Sequence, residues 1–153
     1  ADVPLCLNWK SLDAEQFLAV EAHLKQLGIP ADGYLLALPA RLGWWVYLPP
    51  QRDAEALRVA MEDLRQKGVK DMAQVRGGKL SNAISLGAFP TVRKAREHAA
   101  SLAAKGVAGL KLGPRPEAGE VRLTLTDAAP ANAADALAGD WPQGLKPGVC
   151  PAP

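Results

Sequence analysis

The chain has 153 residues, a length that suits one ordinary domain or two small ones. Apolar residues make up 48% of it and charged residues 22%, with 18 Lys and Arg against 16 Asp and Glu, a net charge of +2. This composition excludes a mostly disordered chain and a strongly basic nucleic-acid-binding one. No apolar run approaches the roughly 20 residues that span a bilayer, and the first residues show no signal-peptide pattern. We therefore expect no membrane span and no export signal or anchor within this chain.

The two cysteines, Cys6 and Cys150, stand near opposite ends of the sequence. Their spacing matches neither a set of metal ligands nor the C-x-x-C pattern of a redox motif. Two interpretations remain open. A structural disulfide would close a loop of about 145 residues and imply an oxidising compartment. Alternatively, the two are unrelated buried thiols.

Three segments share the ending L-x-x-x-G-(V/I), in which the glycines are Gly28, Gly68 and Gly106. Glycine is favoured just past a helix end because it adopts a left-handed backbone at little cost. Apolar residues recur at helical spacing before each glycine, so the pattern predicts three helices. The predicted N-caps are Asp13, Asp53 and Thr91, with Gln16 completing a capping box after the first.

Short alternating segments between these helices predict strands. They are residues 5–9, 34–38, 44–48, 71–76, 83–89, 108–112 and 121–126. Turn residues at 39–43 and 77–79 predict two hairpins. A weak helix is expected over 131–138, followed by a last strand that ends at Cys150. The glycines recur every 38 to 40 residues, but one helix flanked by strands in each unit excludes a helical solenoid or a propeller.

Four successive βαβ units predict an α+β protein built from ferredoxin-like βαββαβ units. Each would have a four-stranded antiparallel sheet with two helices on one face. The units can pair sequentially, as 1–78 and 82–150, or the middle two can be nested between the outer two. First and last strands are neighbours in a βαββαβ sheet, so only nesting brings Cys6 beside Cys150. We favour nesting, with domains at 44–113 and at 1–43 plus 114–150, and a tail at 151–153.

One stretch of the sequence, residues 44–113, resembles a known family. It contains the strand segment 45–48, a helix ending at 64–69, Asp71, and a second helix that ends at 105–107. The most recognisable part is segment 82–89, where the apolar spacing and a glycine lead straight into a helix. Its characteristic residues are Ile84, Leu86, Gly87 and Phe89. Together these features resemble the SPOR (sporulation-related repeat) domain.

The SPOR resemblance implies a non-enzymatic module that binds peptidoglycan in the bacterial periplasm or cell envelope. Such domains favour glycan strands stripped of their stem peptides, often at division sites, and they do not cleave them. We accordingly expect no catalytic residue, no cofactor and no metal ligand. The expected partners are glycan strands and envelope or divisome proteins. The sequence departs from the family at Pro49 and Pro50, which follow the first strand where many members have a different pattern.

Alternation of side chains along strands predicts which residues of this unit would meet a glycan. If the aliphatic positions face the helices, an aromatic and polar set faces the other way. The proposed glycan-binding residues are Trp45, Tyr47, Gln74, Arg76, Ser85 and Lys111. Met72 and Gly87 share that predicted face. Rings pack on the C–H face of sugars, while amide, hydroxyl and cationic groups bond to hydroxyls and carboxylates. Alternatively, the two rings pack under the outer domain and the polar residues are ordinary solvated ones.

Three other functions are weighed against glycan binding. An envelope structural or protein-interaction module would have its sheet face covered by its own outer domain or by a partner. RNA binding is possible for this topology, but the aromatic residues expected on the third strand are replaced by Ser85 and Gly87. An enzyme is not supported, because no nucleophile, base and orienting group can be assembled from the sequence. His23 and His98 lie in predicted helices with no second potential metal ligand nearby in the sequence, so we expect them to be partly solvated surface or boundary residues.

Overall fold

The computed structural model describes residues 5–151. Four α-helices lie in this range: α1 (Ala14–Gln26), α2 (Ala54–Gln66), α3 (Val92–Ala104) and α4 (Ala133–Leu137). The first four strands are β1 (Cys6–Trp9), β2 (Tyr34–Ala37), β3 (Trp44–Leu48) and β4 (Ala73–Gln74). The other four are β5 (Ile84–Phe89), β6 (Lys111–Pro114), β7 (Val121–Leu125) and β8 (Gly148–Val149). Two short 3₁₀ turns cover Ala31–Gly33 and Pro142–Gly144.

The strands form two separate four-stranded sheets in the order β2-β7-β1-β8 and β4-β5-β3-β6. The predicted α+β class with ferredoxin-like antiparallel sheets is confirmed. The chain divides into an inner unit, residues 41–113, and an outer unit made of residues 1–40 and 114–153. This is the nested arrangement of the strands. The inner unit begins at residue 41, whereas the sequence analysis placed its start at residue 44. Of the predicted tail, residues 152 and 153 lie outside the described range, as do residues 1–4 of the outer domain.

The predicted helix starts are confirmed by their capping bonds. The Asp13 carboxylate accepts from the backbone N–H of Gln16, and the Gln16 side chain accepts from the backbone N–H of Asp13, which completes the capping box. Asp53 caps α2 and Thr91 caps α3 in the same way, each accepting from a backbone N–H three residues later. These bonds satisfy N–H groups that a helix start leaves without a partner.

The shared glycine ending also acts as predicted. Gly28, Gly68 and Gly106 have φ values of +78°, +85° and +91°, and each follows a helix by two residues. A residue with a side chain is strained at such angles, whereas glycine is not. The chain can therefore turn back toward the sheet immediately after each helix.

Each unit has its own apolar core between sheet and helices. In the outer unit, α1 and the central strand β7 both contribute fully buried side chains, which include Phe17, Val20, Leu24, Val121 and Leu123. In the inner unit, α3 packs on β3 and β5. Its fully buried side chains include Trp44, Val46, Leu64, Ile84 and Leu86.

Cys6 and Cys150 form a disulfide, with their Cα atoms 5.4 Å apart. The bond joins neighbouring strands, because β1 pairs with β8 in the register Leu7↔Val149. The Cys150 N–H donates to the Cys6 carbonyl at 3.0 Å, which extends the same ladder by one residue. The disulfide interpretation is confirmed, and that of two unrelated thiols is wrong.

One predicted hairpin is absent and the other is present. Residues 39–43 do not join a hairpin, because β2 pairs with β7 while β3 pairs with β5 in the other sheet. Local turn chemistry could not distinguish a hairpin from a passage between two units. The turn at 77–79 does join paired strands, and Gly77 and Gly78 supply the φ values of +80° and +72° that it needs.

The longest helices of residues 5–151 contain 13 residues, and none of them is long and apolar enough to cross a membrane.

Removing the disulfide should destabilise the protein without changing its fold. The Cys6→Ser, Cys150→Ser double variant is expected to lose about 2–5 kcal/mol of unfolding free energy, because the bridge restricts a very long loop of the unfolded chain. Urea denaturation followed by circular dichroism measures the loss. Wild type in reducing agent is the matched control and should behave like the double variant. Peptide mapping of the non-reduced protein that found two free thiols would contradict the bridge itself.

Candidate functional site

The two rings proposed for glycan binding, Trp45 and Tyr47, lie on β3, the strand between β5 and β6. They stack on each other with centroids 4.2 Å apart and planes inclined by 24°. Their exposed fractions are only 4% and 6%, so the expectation that they face solvent is wrong. All five residues of β3 are buried, which means that the chain's own atoms cover both faces of this strand. Alternation in the sequence separates two faces but cannot tell which of them is covered.

A bulge shapes the pairing behind these rings. Trp45 lies opposite Ala88 and Tyr47 opposite Ser85, so two residues of β5, Leu86 and Gly87, oppose a single residue of β3. Gly87 has φ +142°, and a Cβ placed there would lie 2.9 Å from the ring of Phe89. Glycine at this position therefore serves the backbone of the bulge and the close approach of that ring.

The predicted orientation of β4 is wrong, because the sequence analysis placed Gln74 on the same face of the sheet as Trp45 and Tyr47. Ala73 pairs with Ser85, and Gln74 pairs with Ile84, whose side chain is fully buried. Partners in an antiparallel pair point to the same face, so Gln74 belongs to the helix side and Ala73 to the side of Tyr47 and Ser85. A shift of one residue exchanges every side chain between faces. The strand has only two residues, so the sequence offered too short a pattern to fix its register.

The remaining proposed site residues do not converge. Arg76 is exposed and lies after β4, in the turn toward β5. Ser85 is half-buried in the middle of the sheet, beside Tyr47 in the pairing register. Lys111 is half-buried at the start of β6, a strand that begins and ends later than the sequence indicated. The six residues therefore do not form one solvent-facing surface, and the two rings are not exposed as an open platform for a sugar.

The outer unit contains a polar cluster that the sequence did not single out. Asn8 Nδ2 donates to Glu120 Oε2 at 2.7 Å, and Arg122 Nε donates to the other carboxylate oxygen. The two hydrogen bonds hold the pKa of the Glu120 carboxyl below its ordinary value, and the bond from Arg122 has the larger effect. Asn8 and Arg122 are cross-strand partners. The period-2 polar positions of the two strands would have placed them on one face once the nested pairing was known.

The outer unit also contains an aromatic cluster, formed by Trp9, Trp141 and His23. Trp9 and Trp141 meet edge to face at 5.6 Å, and His23 lies against Trp141 with ring centroids 4.4 Å apart. Both indole N–H groups donate to backbone carbonyls, of Leu145 at 2.7 Å and of Leu137 at 2.9 Å. Rings with satisfied polar atoms are typical of packing. This cluster holds the C-terminal segment to the fold.

Both histidines are boundary residues, as expected. His98 Nε2 lies 2.8 Å from the carbonyl oxygen of Leu86, and its ring contacts Phe89 at 5.0 Å. His23 is half-buried, and its Nε2 has no hydrogen-bond partner within the described part of the chain. Among residues 5–151, no three His, Cys, Asp or Glu side chains come together in a group that would hold a metal ion.

Comparisons with known proteins do not assign a family. No protein-family model matches the chain, and no match was found among curated proteins or among solved structures.

Truncation of Trp45 separates a packing role from a binding role. Trp45→Ala is expected to lower the free energy of unfolding by about 3–5 kcal/mol, because it removes a buried ring and leaves a cavity beside Tyr47. Trp45→Phe is the matched control and should lose less, since it keeps a stacked ring. Denaturant unfolding measures both. A change within about 0.5 kcal/mol for Trp45→Ala would mean that the ring is exposed in solution.

The bulge makes a second position sensitive. Gly87→Ala is expected to destabilise the protein by about 1–3 kcal/mol, because the added Cβ meets the Phe89 ring and the backbone angle disfavours a side chain. A thermal melt measures the loss. Gly78→Ala provides the control, since that turn glycine also has a positive φ but has open space around it. Equal losses at the two positions would exclude the contribution of the ring contact.

Proposed function

We propose that this chain is a non-enzymatic structural and protein-interaction module of the bacterial cell envelope. In this proposal the inner unit is a SPOR-like domain whose sheet face has become a packing surface. The observation that carries the proposal is the burial of the stacked Trp45 and Tyr47 rings, the two side chains best suited to hold a sugar.

The energetics of the rings favour a packing role over a ligand role. Large aromatic side chains contribute strongly to stability when they are buried, and a stacked pair adds to this. Exposing the pair to a glycan would require the atoms that cover it to move away and would lose that contribution. The chain thus gains stability from the residues that a glycan-binding relative would leave open.

The disulfide supports the envelope as the place of action. Bridges of this kind form and persist in oxidising compartments, such as the periplasm, and are rare in the cytosol. Cys6–Cys150 joins residues 144 positions apart and ties the first strand of the outer sheet to the last. A protein built around such a bond suits a compartment in which it stays oxidised.

Peptidoglycan binding is the second candidate, and one observation favours it. Arg76 is exposed, and no ion-pair partner for it lies within residues 5–151. Its guanidinium is thus free to pair with the lactyl carboxylate of a stem-free muramic acid. In this version the glycan would bind along the turn after β4 and not on the aromatic rings. The resemblance of 44–113 to SPOR domains supports the same ligand.

Sedimentation with sacculi distinguishes the two candidates. Wild type is incubated with intact sacculi and with amidase-treated sacculi, and the bound fraction is measured after centrifugation. The structural proposal expects no enrichment on either. Enrichment on treated sacculi that is lost in Arg76→Ala and kept in Lys25→Ala, an exposed cation of the outer unit, would contradict it and establish glycan binding. Circular dichroism of each variant checks that it is folded.

A further inference from the structure

The near-neutral net charge of the chain conceals two strongly charged units. Residues 41–113 contain 13 Lys and Arg against 6 Asp and Glu, a net charge of +7. The outer unit contains 5 Lys and Arg against 10 Asp and Glu, a net charge of −5. Charge segregated in this way creates fields of opposite sign that steer association.

Most acids of the inner unit are already paired with a close neighbour in the sequence. They are Asp53 with Arg52, Glu55 with Arg58, Glu62 with Arg65, Asp63 with Lys67, and Glu97 with Arg93. The positive excess therefore lies on other side chains. Arg76 and Lys79 are both exposed in the turn between β4 and β5. Neither of them has an ion-pair partner among residues 5–151. This basic turn, residues 76–79, presents two cations to solvent.

The outer unit has a complementary acidic edge, formed by Asp32 and Asp127. The two loops meet at one end of the sheet, because Thr126 Oγ1 donates to the Asp32 carbonyl at 2.6 Å. Both carboxylates are exposed and have no ion-pair partner within residues 5–151. Leu35 lies nearby on β2, an edge strand, and is 65% exposed. An apolar centre with a polar rim is a common arrangement at protein interfaces.

We propose that the basic turn of one copy of the chain docks on the acidic edge of a second copy. The inference rests on the proposed role as a structural and protein-interaction module. Charge complementarity is the reason for choosing a second copy as the partner, because the acidic edge of the outer unit is opposite in charge to the basic turn. Because the two surfaces differ, each contact leaves one basic turn and one acidic edge unused, and copies can add head to tail.

Charge reversal with rescue tests this contact. Sedimentation velocity is run over a range of protein concentrations at about 0.05 M and about 0.5 M NaCl, where exposed charges are weakly and strongly screened. Wild type should associate with an affinity that falls about tenfold or more with added salt. The basic-turn variant Arg76→Glu, Lys79→Glu and the acidic-edge variant Asp32→Lys, Asp127→Lys should each be monomeric at low salt. An equimolar mixture of the two should associate again.

A matched control separates local contact from total charge. Lys10→Glu, Lys25→Glu changes the net charge by the same amount as the basic-turn variant, at exposed positions that belong to neither the basic turn nor the acidic edge. It should associate like wild type. A wild type that is monomeric at low salt, or a mixture that stays monomeric, would overturn the proposal. Monomeric wild type that is retained on immobilised poly-glutamate would instead show that the basic turn binds a foreign polyanion.

The same data distinguish failure of this inference from failure of the proposed function. If wild type neither self-associates nor binds sacculi, the proposed role as a structural and protein-interaction module stands, but a second copy of the chain is not its partner. Sacculus binding through Arg76, with or without self-association, contradicts the proposed function itself.

Discussion

The outer unit depends on pairing between strands from the two ends of the chain. Central strand β1 pairs on one side with β7 and on the other with β8, so residues near position 6 meet residues near 124 and 150. Closing so long a loop costs conformational entropy before any contact compensates for it. The buried faces of β1 and β7, together with the disulfide, offset that cost. The inner unit is inserted within this loop and has its own sheet and core.

The inner unit is held by a central strand that is buried on both faces. An antiparallel strand usually presents one face to water, and β3 does not. The consequence for function is direct, because side chains that suit sugar binding in an open sheet become part of the interior. A fold by itself therefore does not establish a binding site. The charged side chains that remain exposed on this unit lie at its turns, loops and helices.

Charge is distributed between the units in a way that the whole-chain value does not reveal. The inner unit is basic and the outer unit acidic, and many of the exposed charges are paired with near neighbours along helices. Exposed pairs of this kind contribute little to stability. Arg76 and Lys79 of the inner unit and Asp32 and Asp127 of the outer unit are exposed, have no ion-pair partner within residues 5–151, and carry opposite charges.

The sequence by itself determined the local structure and much of the topology. Helix starts such as Asp13 and helix endings such as Gly28 follow from backbone bonding and conformational freedom within a few residues. Repetition of βαβ units indicated two ferredoxin-like sheets, and the position of Cys6 and Cys150 favoured nesting. Only the tertiary structure decided that β3 is covered on both faces and that Gln74 points to the helix side. Those outcomes depend on the packing around a strand and on the register of a two-residue strand, and no local sequence pattern fixes either of them.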